Sequence, residues 1–179
     1  MLASGKGPSD TKNPGGSVVT HHLLVLLMAL LIGVVAGLRS LTAPAVVAWA
    51  AVLTWFNLDH TWASWMGSKI TLVVLTLLAV AELVNDKLPK TPPRTAPPVF
   101  AARIILGAFA GAVIGTVWGY KWGGLGAGIV GAVLGTLGGY QARKRLVAAT
   151  GGKDLPIALL EDAVAVLGGF AVVAATAAL

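Results

Sequence analysis

Stretches of uncharged, mostly apolar residues recur along this chain, and they are long enough to cross a lipid bilayer. Residues 23–38 and 104–120 contain no acidic or basic side chain. A helix of about 20 apolar residues spans the roughly 30 Å of hydrocarbon in a bilayer. The mean hydropathy of +0.84 and the 11% of charged residues agree with this, because soluble domains carry about 25%. We predict an all-α integral membrane protein, which is one domain at 179 residues.

The basic balance of the chain does not indicate a nucleic-acid partner. The net charge is +6, but the basic residues lie beside apolar spans and are not interleaved with aromatic residues. The chain has no cysteine, which excludes disulfides and thiolate metal sites. Three scattered histidines are too few to indicate a metal centre. We therefore expect no nucleic acid and no cofactor, and the sequence leaves a metal undecided.

The first 20 residues differ in composition from the rest. They are rich in Gly, Pro, Ser and Lys and offer little to bury, so we predict a disordered tail over 1–20 and a transmembrane helical domain over 21–179. A signal peptide is the alternative, since Lys6 and Lys12 precede an apolar run. That run meets Arg39 instead of a cleavage site with small residues, which favours the first interpretation.

The apolar segment 22–56 is too long for one straight crossing, because 35 residues would cover about 52 Å. Gly37, Arg39 and Pro44 indicate a break, since proline removes a backbone donor and disfavours helix just before it. Either two short spans meet at Arg39 or one span continues into a re-entrant piece. Tryptophans follow over residues 49–65, as in an interfacial aromatic belt.

The later spans are clearer. We predict helices over about 69–85, 99–119, 123–141 and 155–179. A linker with five prolines, residues 85–98, separates the first two, and a very short turn near residues 120–122 joins the next pair into a hairpin. The expected fold is a compact bundle of about five transmembrane helices, or six if the break separates two crossings.

Basic residues predict which side of the membrane each loop occupies. The 86–103 region contains two lysines and two arginines, and so does the 142–154 loop. These loops lie two crossings apart, so both should face the cytoplasm. We favour five crossings, because Lys6 and Lys12 then face the cytoplasm as well.

Glycine recurs at every fourth position in the third and fourth predicted spans. Residues four apart share a helix face, and small residues there let two helices approach closely. Helix packing is the usual role of this pattern, and a glycine-lined pore is the alternative. In packing, the glycine face of each helix meets either the other helix of the hairpin or a second copy of the chain in a homo-oligomer. The predicted packing residues are Gly107, Gly111, Gly115, Gly119, Gly131, Gly135 and Gly139.

The few charges inside or beside the spans are the candidate site. Glu82 and Asp86 share one helical face, and Glu161 and Asp162 lie early in the last helix. A carboxylate near hydrocarbon is costly unless it is paired or hydrated. We predict a polar cluster near the cytoplasmic half of the bundle formed by Arg39, Glu82, Asp86, Lys87, Arg103, Glu161 and Asp162.

Several of these segments together resemble a known family. They are the segment from Gly33 to Pro44, the Glu82-x-x-x-Asp86-Lys87-x-Pro89 block, Arg103 with Gly107, and the Glu161-Asp162 pair. The chain is similar, over nearly everything after residue 22, to the bacterial membrane-protein family catalogued as domain of unknown function 4126. The resemblance implies a multi-pass protein of the bacterial inner membrane and brings no activity.

Two functions remain open from the sequence. The first is a small transporter or channel for an ion or small solute, in which the carboxylates bind protons, cations or a divalent metal. The second is a structural or lipid-interacting membrane protein in which the charges lock helix ends and contact headgroups. No nucleophile-elbow, P-loop or HExxH motif is present, and no histidine neighbours a buried carboxylate, so the sequence offers no catalytic residues.

Overall fold

The computed structural model describes residues 14–86 and 95–179, and within these ranges the chain is all-helical. Three of the described connections are short, over residues 39–41, 118–120 and 150–153, and the longer segment 53–68 contains a 3-10 turn over Ser64–Gly67. The α-helices of the described residues are α1 (Pro14–Leu38), α2 (Thr42–Val52), α3 (Lys69–Asn85), α4 (Pro97–Val117), α5 (Lys121–Ala149) and α6 (Asp154–Ala177).

Helix α1 corrects the predicted domain boundary. It begins at Pro14, a favourable first helical residue because proline has no N–H to leave unpaired. Residues 14–20 are therefore helical and do not belong to a disordered tail as predicted. Residues 1–13, with Lys6 and Lys12, lie outside the described residues.

The predicted break in the 22–56 segment is present, and it separates two helices. Pro44 cannot donate a backbone hydrogen bond to the carbonyl of residue 40, so one helix cannot run through this point. Helix α2 has 11 residues and is therefore only about 16 Å long. Eight of its residues are buried, from Thr42 to Ala50. It is an inner helix of the bundle and is too short to cross a membrane alone.

Contacts at the chain turns establish the direction of each helix. The rings of His21 and His22, early in α1, contact Trp118 and Tyr120 at the α4–α5 turn. The C-terminal end of α1 lies at the other end of the bundle, where Gly37 accepts a hydrogen bond from Arg103. We call the end with the α4–α5 turn the turn end, and the end where α3 ends, α4 begins and the 150–153 connection lies the basic end.

The segment after α2 returns to the turn end. There Trp62 donates a hydrogen bond to Thr116, 2.8 Å away, and Lys121 lies over the Trp62 ring. Helix α3 then leads back to the basic end. Within residues 14–86 and 95–179 the chain thus passes between the two ends six times, with α2 and its following segment as one pass. This favours the alternative of six crossings over five, because α1 starts at the end opposite the basic loops.

In the described part of the chain, four helical segments are long and apolar enough to cross a membrane by length and composition: residues 18–38, 97–117, 121–149 and 154–177. Helix α3 has 17 residues, about 25 Å, at the lower limit for a crossing. Its Ile70, Leu77 and Val84 are all at least 60% exposed on one side of the helix. In water such a surface would be unfavourable, whereas hydrocarbon solvates it well. The fold is therefore a helical membrane bundle, and the lipid bilayer is its solvent.

Glycines bring α1, α4 and α5 into backbone contact. A Cβ added to Gly37 would lie 2.5 Å from the carbonyl oxygen of Ala132, and one at Gly115 would lie 2.5 Å from that of Tyr120. Gly128 contacts both neighbouring helices, because it meets Gly107 on α4 and Gly33 on α1. The hairpin of α4 and α5 packs as predicted, and α1 closes on its other side within the same chain.

The packing role of individual glycines differs from the prediction. Gly107, Gly111 and Gly115 face α5, as expected. Gly131 and Gly135 face α1 instead of α4. The contacts to α4 come from Gly124 and Gly128, which the chosen stripe omitted although they have the same four-residue spacing.

Two members of the predicted set have other positions. Gly119 meets nothing within 4 Å and has a φ of +79°, so it closes the α4–α5 turn and the packing role predicted for it was wrong. Gly139 lines a crevice between α5 and α6.

The direction of the helices can be tested by labelling single cysteines, because the chain has none of its own. We expect cysteines replacing Val18 and Asn57 to react with an impermeant maleimide from one side of the membrane. A cysteine replacing Lys153 should react only from the other side. Labelling of positions 18 and 153 from the same side would contradict this topology.

The glycine contacts predict a contrast within one helix. Gly128→Ala should lower the free energy of unfolding by about 1–3 kcal/mol or more, because its methyl group meets backbone that cannot move aside. Gly126→Ala, whose Cβ meets nothing within 4 Å, should be neutral or gain up to about 1 kcal/mol from helix propensity. Unfolding of both variants in detergent measures the difference, and equal effects would contradict the packing.

Candidate functional site

The candidate site is built around the break between α1 and α2. Arg39 lies between these helices and is 0% exposed. A helix end leaves backbone groups without partners within the helix, and in hydrocarbon water cannot replace those partners. The carbonyls that end α1 and the N–H groups that begin α2 therefore both need polar side chains from elsewhere.

Arg103 satisfies the end of α1. Its Nη1 donates to the carbonyl oxygens of Gly37 at 2.6 Å and Leu38 at 2.7 Å. The hydroxyl of Thr136 on α5 is also near the Gly37 oxygen, at 3.2 Å. Arg103 is 2% exposed, and a cation at a helix C-terminus also interacts favourably with the helix dipole.

Glu82 satisfies the start of α2. Its Oε1 accepts hydrogen bonds from the backbone N–H of Ser40 at 2.8 Å and from the Ser40 hydroxyl at 2.6 Å. Its Oε2 accepts from the N–H of Leu41 at 2.8 Å. A carboxylate at a helix N-terminus is the favourable arrangement of charge and dipole. Helix α3 is thereby tied to the break through charge-assisted hydrogen bonds.

Arg39 joins two further helices. Its Nη1 forms an ion pair and hydrogen bond with Asp86 at the end of α3. Its Nη2 lies 2.5 Å from Oδ1 of Asp162 on α6. Arg103 lies 3.8 Å from Asp86 and 4.0 Å from Glu82, so the two guanidinium groups and three carboxylates form one network.

We call these five residues the break cluster: Arg39, Glu82, Asp86, Arg103 and Asp162. Among the described residues it comprises three carboxylates and two guanidinium groups. Arg39 lies between Asp86 and Asp162 and holds those carboxylates apart. Within residues 14–86 and 95–179, no group of three or more His, Cys, Asp or Glu side chains is arranged to hold a metal ion.

A second ion-pair group lies closer to the basic end. Arg143 on α5 donates to both carboxylate oxygens of Asp154, at 2.9 and 2.7 Å. Its Nη1 lies 3.5 Å from Glu161. Asp154 begins α6, and Asp162 lies two turns further, about 12 Å deeper along the helix. The adjacent pair Glu161-Asp162 therefore belongs to two different clusters.

The predicted site residues thus lie in different parts of the structure. The structure brings Arg39, Glu82, Asp86, Arg103 and Asp162 together. Glu161 pairs with Arg143 instead and lines the α5–α6 crevice, whereas Glu82 lines a groove beside α3. Lys87 lies outside the described residues.

The sequence analysis did not predict the hydrogen bonds that cap the two helix ends at the break. The backbone of Ser40 and Leu41 is the binding partner of Glu82, and Thr136 shares the Gly37 carbonyl with Arg103. The available signal was the break, because helix ends buried in a membrane bundle need hydrogen-bond acceptors and donors from other side chains. Nothing in the sequence indicated that Thr136 belongs to the site, because it lies in a stripe of small residues without any other distinguishing feature.

Comparison with known proteins supports the helical hairpin. Residues 104–143 match the family described as a glycine zipper 2TM domain. This segment covers most of α4 and the first part of α5, where the close glycine contacts lie. No curated protein and no solved structure matches the chain. The match supports a membrane protein with paired transmembrane helices and assigns no activity.

The capping role of Glu82 predicts a large effect from a small change. Glu82→Gln keeps the shape but presents an NH2 group to one of the backbone donors, so at least one charge-assisted hydrogen bond is lost. We expect a loss of about 1.5–3 kcal/mol in the free energy of unfolding. Asp154→Asn, in an ion pair whose aspartate side chain is 59% exposed, should cost about 0–1 kcal/mol. Unfolding in detergent compares the two, and equal losses would contradict the capping role.

Proposed function

We propose that this protein is a small ion transporter or channel of the bacterial inner membrane, that its ion is the proton, and that the break cluster is the proton-binding site. The observation that carries the proposal is a buried network of three carboxylates and two guanidinium groups at a broken helix. The basic residues near both connections favour the cytoplasm for the basic end.

Burial makes ionised carboxylates costly. Arg39 and Arg103 are at most 2% exposed, and the side chains of Glu82, Asp86 and Asp162 are 10, 19 and 12% exposed. In such surroundings a carboxylate can bind a proton, which removes its charge. Ionisable groups inside membrane bundles commonly mark proton or ion pathways, and broken helices are typical of transporter binding sites.

The geometry supports one order of proton binding. Asp86 is the most exposed carboxylate of the cluster and lies at the end of α3, towards the basic end. Asp162 lies on the other side of the Arg39 guanidinium, within α6. A proton that arrives at Asp86 weakens its bond to Arg39, and Arg39 then pairs more strongly with Asp162. Protonation of Asp162 reverses this preference.

A structural function is the second candidate, and a specific observation favours it. Arg103 and Glu82 are already used as caps for the two helix ends at the break. If this is their whole role, the break cluster locks the bundle and carries no ion. The two functions differ in Asp86 and Asp162, because neither carboxylate caps a helix end at the break.

Proton flux into liposomes separates the two functions. Protein reconstituted with an internal pH-sensitive dye should conduct protons when a potassium diffusion potential is applied. Asp162→Asn should abolish this flux while the variant still elutes as a folded protein in gel filtration, and Asp86→Asn is a second variant of the same kind. Asp154→Asn, on the same helix as Asp162, is the matched control and should conduct like the wild type.

Two results would contradict the proposal. One is a wild-type flux no greater than that of empty liposomes. The other is an Asp162→Asn variant that conducts normally, which together with lowered thermal stability would assign the cluster to the structural function.

A further inference from the structure

We infer that the crevice between α5 and α6 at the basic end binds one anionic phospholipid, with an acyl chain in the crevice and the phosphate beside Lys144. This site is separate from the break cluster, and the inference does not depend on proton transport. It rests on the shape of the crevice, its position along the membrane and the charge at its rim.

The crevice exists because α6 packs mainly on α1 and α2 and touches α5 little. Its volume is about 160 Å³, and its lining is almost entirely apolar. The wall on α5 includes Gly139 and Ala142, whose small side chains leave the space open, and the wall on α6 includes Leu160 and Val164. A hydrocarbon chain matches such a surface, and no polar group within it would lose a partner.

A second notch, whose lining includes charged side chains, adjoins the crevice and shares Arg143 with it. The notch has a volume of about 320 Å³, and Tyr140, Lys144, Val147 and Asp154 complete its lining. Arg143 therefore stands where the acyl chain would end and the headgroup would begin. Arg143 lies 22 residues after Lys121, about 33 Å along α5, so the notch is at headgroup depth when the start of α5 is at the opposite interface.

Charge at the rim favours an anionic headgroup. The guanidinium of Arg143 is already paired with Asp154 and Glu161. Lys144 is exposed, it lines the notch, and the ion pairs found among the described residues do not include it. Arg145 and Lys153 add two further positive charges nearby, so the basic groups of this region exceed the two carboxylates by two. Basic pockets between transmembrane helices are typical sites for anionic lipid headgroups.

Tyr140 gives the phosphate a second contact. It is 40% exposed on the notch, and its hydroxyl can donate a hydrogen bond to a phosphate oxygen while its ring stays at the interface. The lysine ammonium and the tyrosine hydroxyl together offer donors to phosphate. Asp154 faces the same notch and disfavours a second negative charge close to it, so a headgroup with one phosphate fits best.

Native mass spectrometry of the full chain in detergent tests this inference with defined lipids. The probes are phosphatidylglycerol, phosphatidylethanolamine and phosphatidylcholine with identical acyl chains. Wild-type protein should bind one phosphatidylglycerol more tightly than either of the other lipids. Lys144→Gln should weaken phosphatidylglycerol binding about fivefold, the effect of one basic residue at an anionic surface. Lys69→Gln, which changes an exposed lysine at the turn end of the bundle, is the matched control and should bind as the wild type does.

The acyl-chain half of the site has its own variant. Ala142→Phe should fill the crevice and weaken binding of phosphatidylglycerol, whereas Ala148→Phe, further along α5 and outside the crevice, should not. If Ala142→Phe does not fold, the Lys144→Gln variant alone tests the inference, because Lys144 is exposed and its substitution should leave the fold intact. Equal binding of the three lipids by the wild type, or unchanged binding in Lys144→Gln or in folded Ala142→Phe, would overturn the inference.

Discussion

The structure depends on one constraint: a helix that ends inside hydrocarbon must find partners for its last carbonyls, and the helix that follows must find partners for its first N–H groups. Proline at residue 44 imposes the break, and Arg103 and Glu82 supply the partners. These two side chains come from α4 and α3. Satisfying the backbone at one point therefore fixes how three segments of the chain meet.

The glycine contacts make this arrangement geometrically attainable. Arg103 and Thr136 reach the Gly37 carbonyl only because α1, α4 and α5 lie in backbone contact there, with Gly37 against Ala132 and Thr136. A methyl group at such a position would separate the helices and lengthen those hydrogen bonds. The glycines thus contribute to the site indirectly, by setting the distance between helices, and none of them is required as a pore lining.

Much of the fold could be predicted because hydrophobicity and proline report local structure directly. Helix α3 spans Lys69–Asn85, as predicted from its apolar run, and the α4–α5 hairpin follows from its short turn. The number of passes could not be predicted, since α2 is stabilised by burial within the bundle and its own sequence resembles a continuation of α1. The choice of five passes also relied on Lys6 and Lys12, and a charge count cannot register contacts such as His21 with Trp118.

The sequence predicted which charged residues belong to the candidate site better than it predicted which of them pair with each other. Glu161 and Asp162 are neighbours in sequence, yet helical rotation points Glu161 towards Arg143 and Asp162 towards Arg39. No spacing rule gives the partner of each one, because the partners lie on other helices. The same limit applies to Glu82, whose partners are backbone groups.

The central claim is that the break cluster holds a proton on one of its carboxylates. Infrared difference spectroscopy of the protein in lipid, recorded as the pH is changed, measures this most directly. The account predicts a protonated-carboxyl band that is lost in Asp162→Asn and retained in Asp154→Asn. A spectrum in which no such band belongs to the cluster, at any pH where the protein is folded, would contradict it.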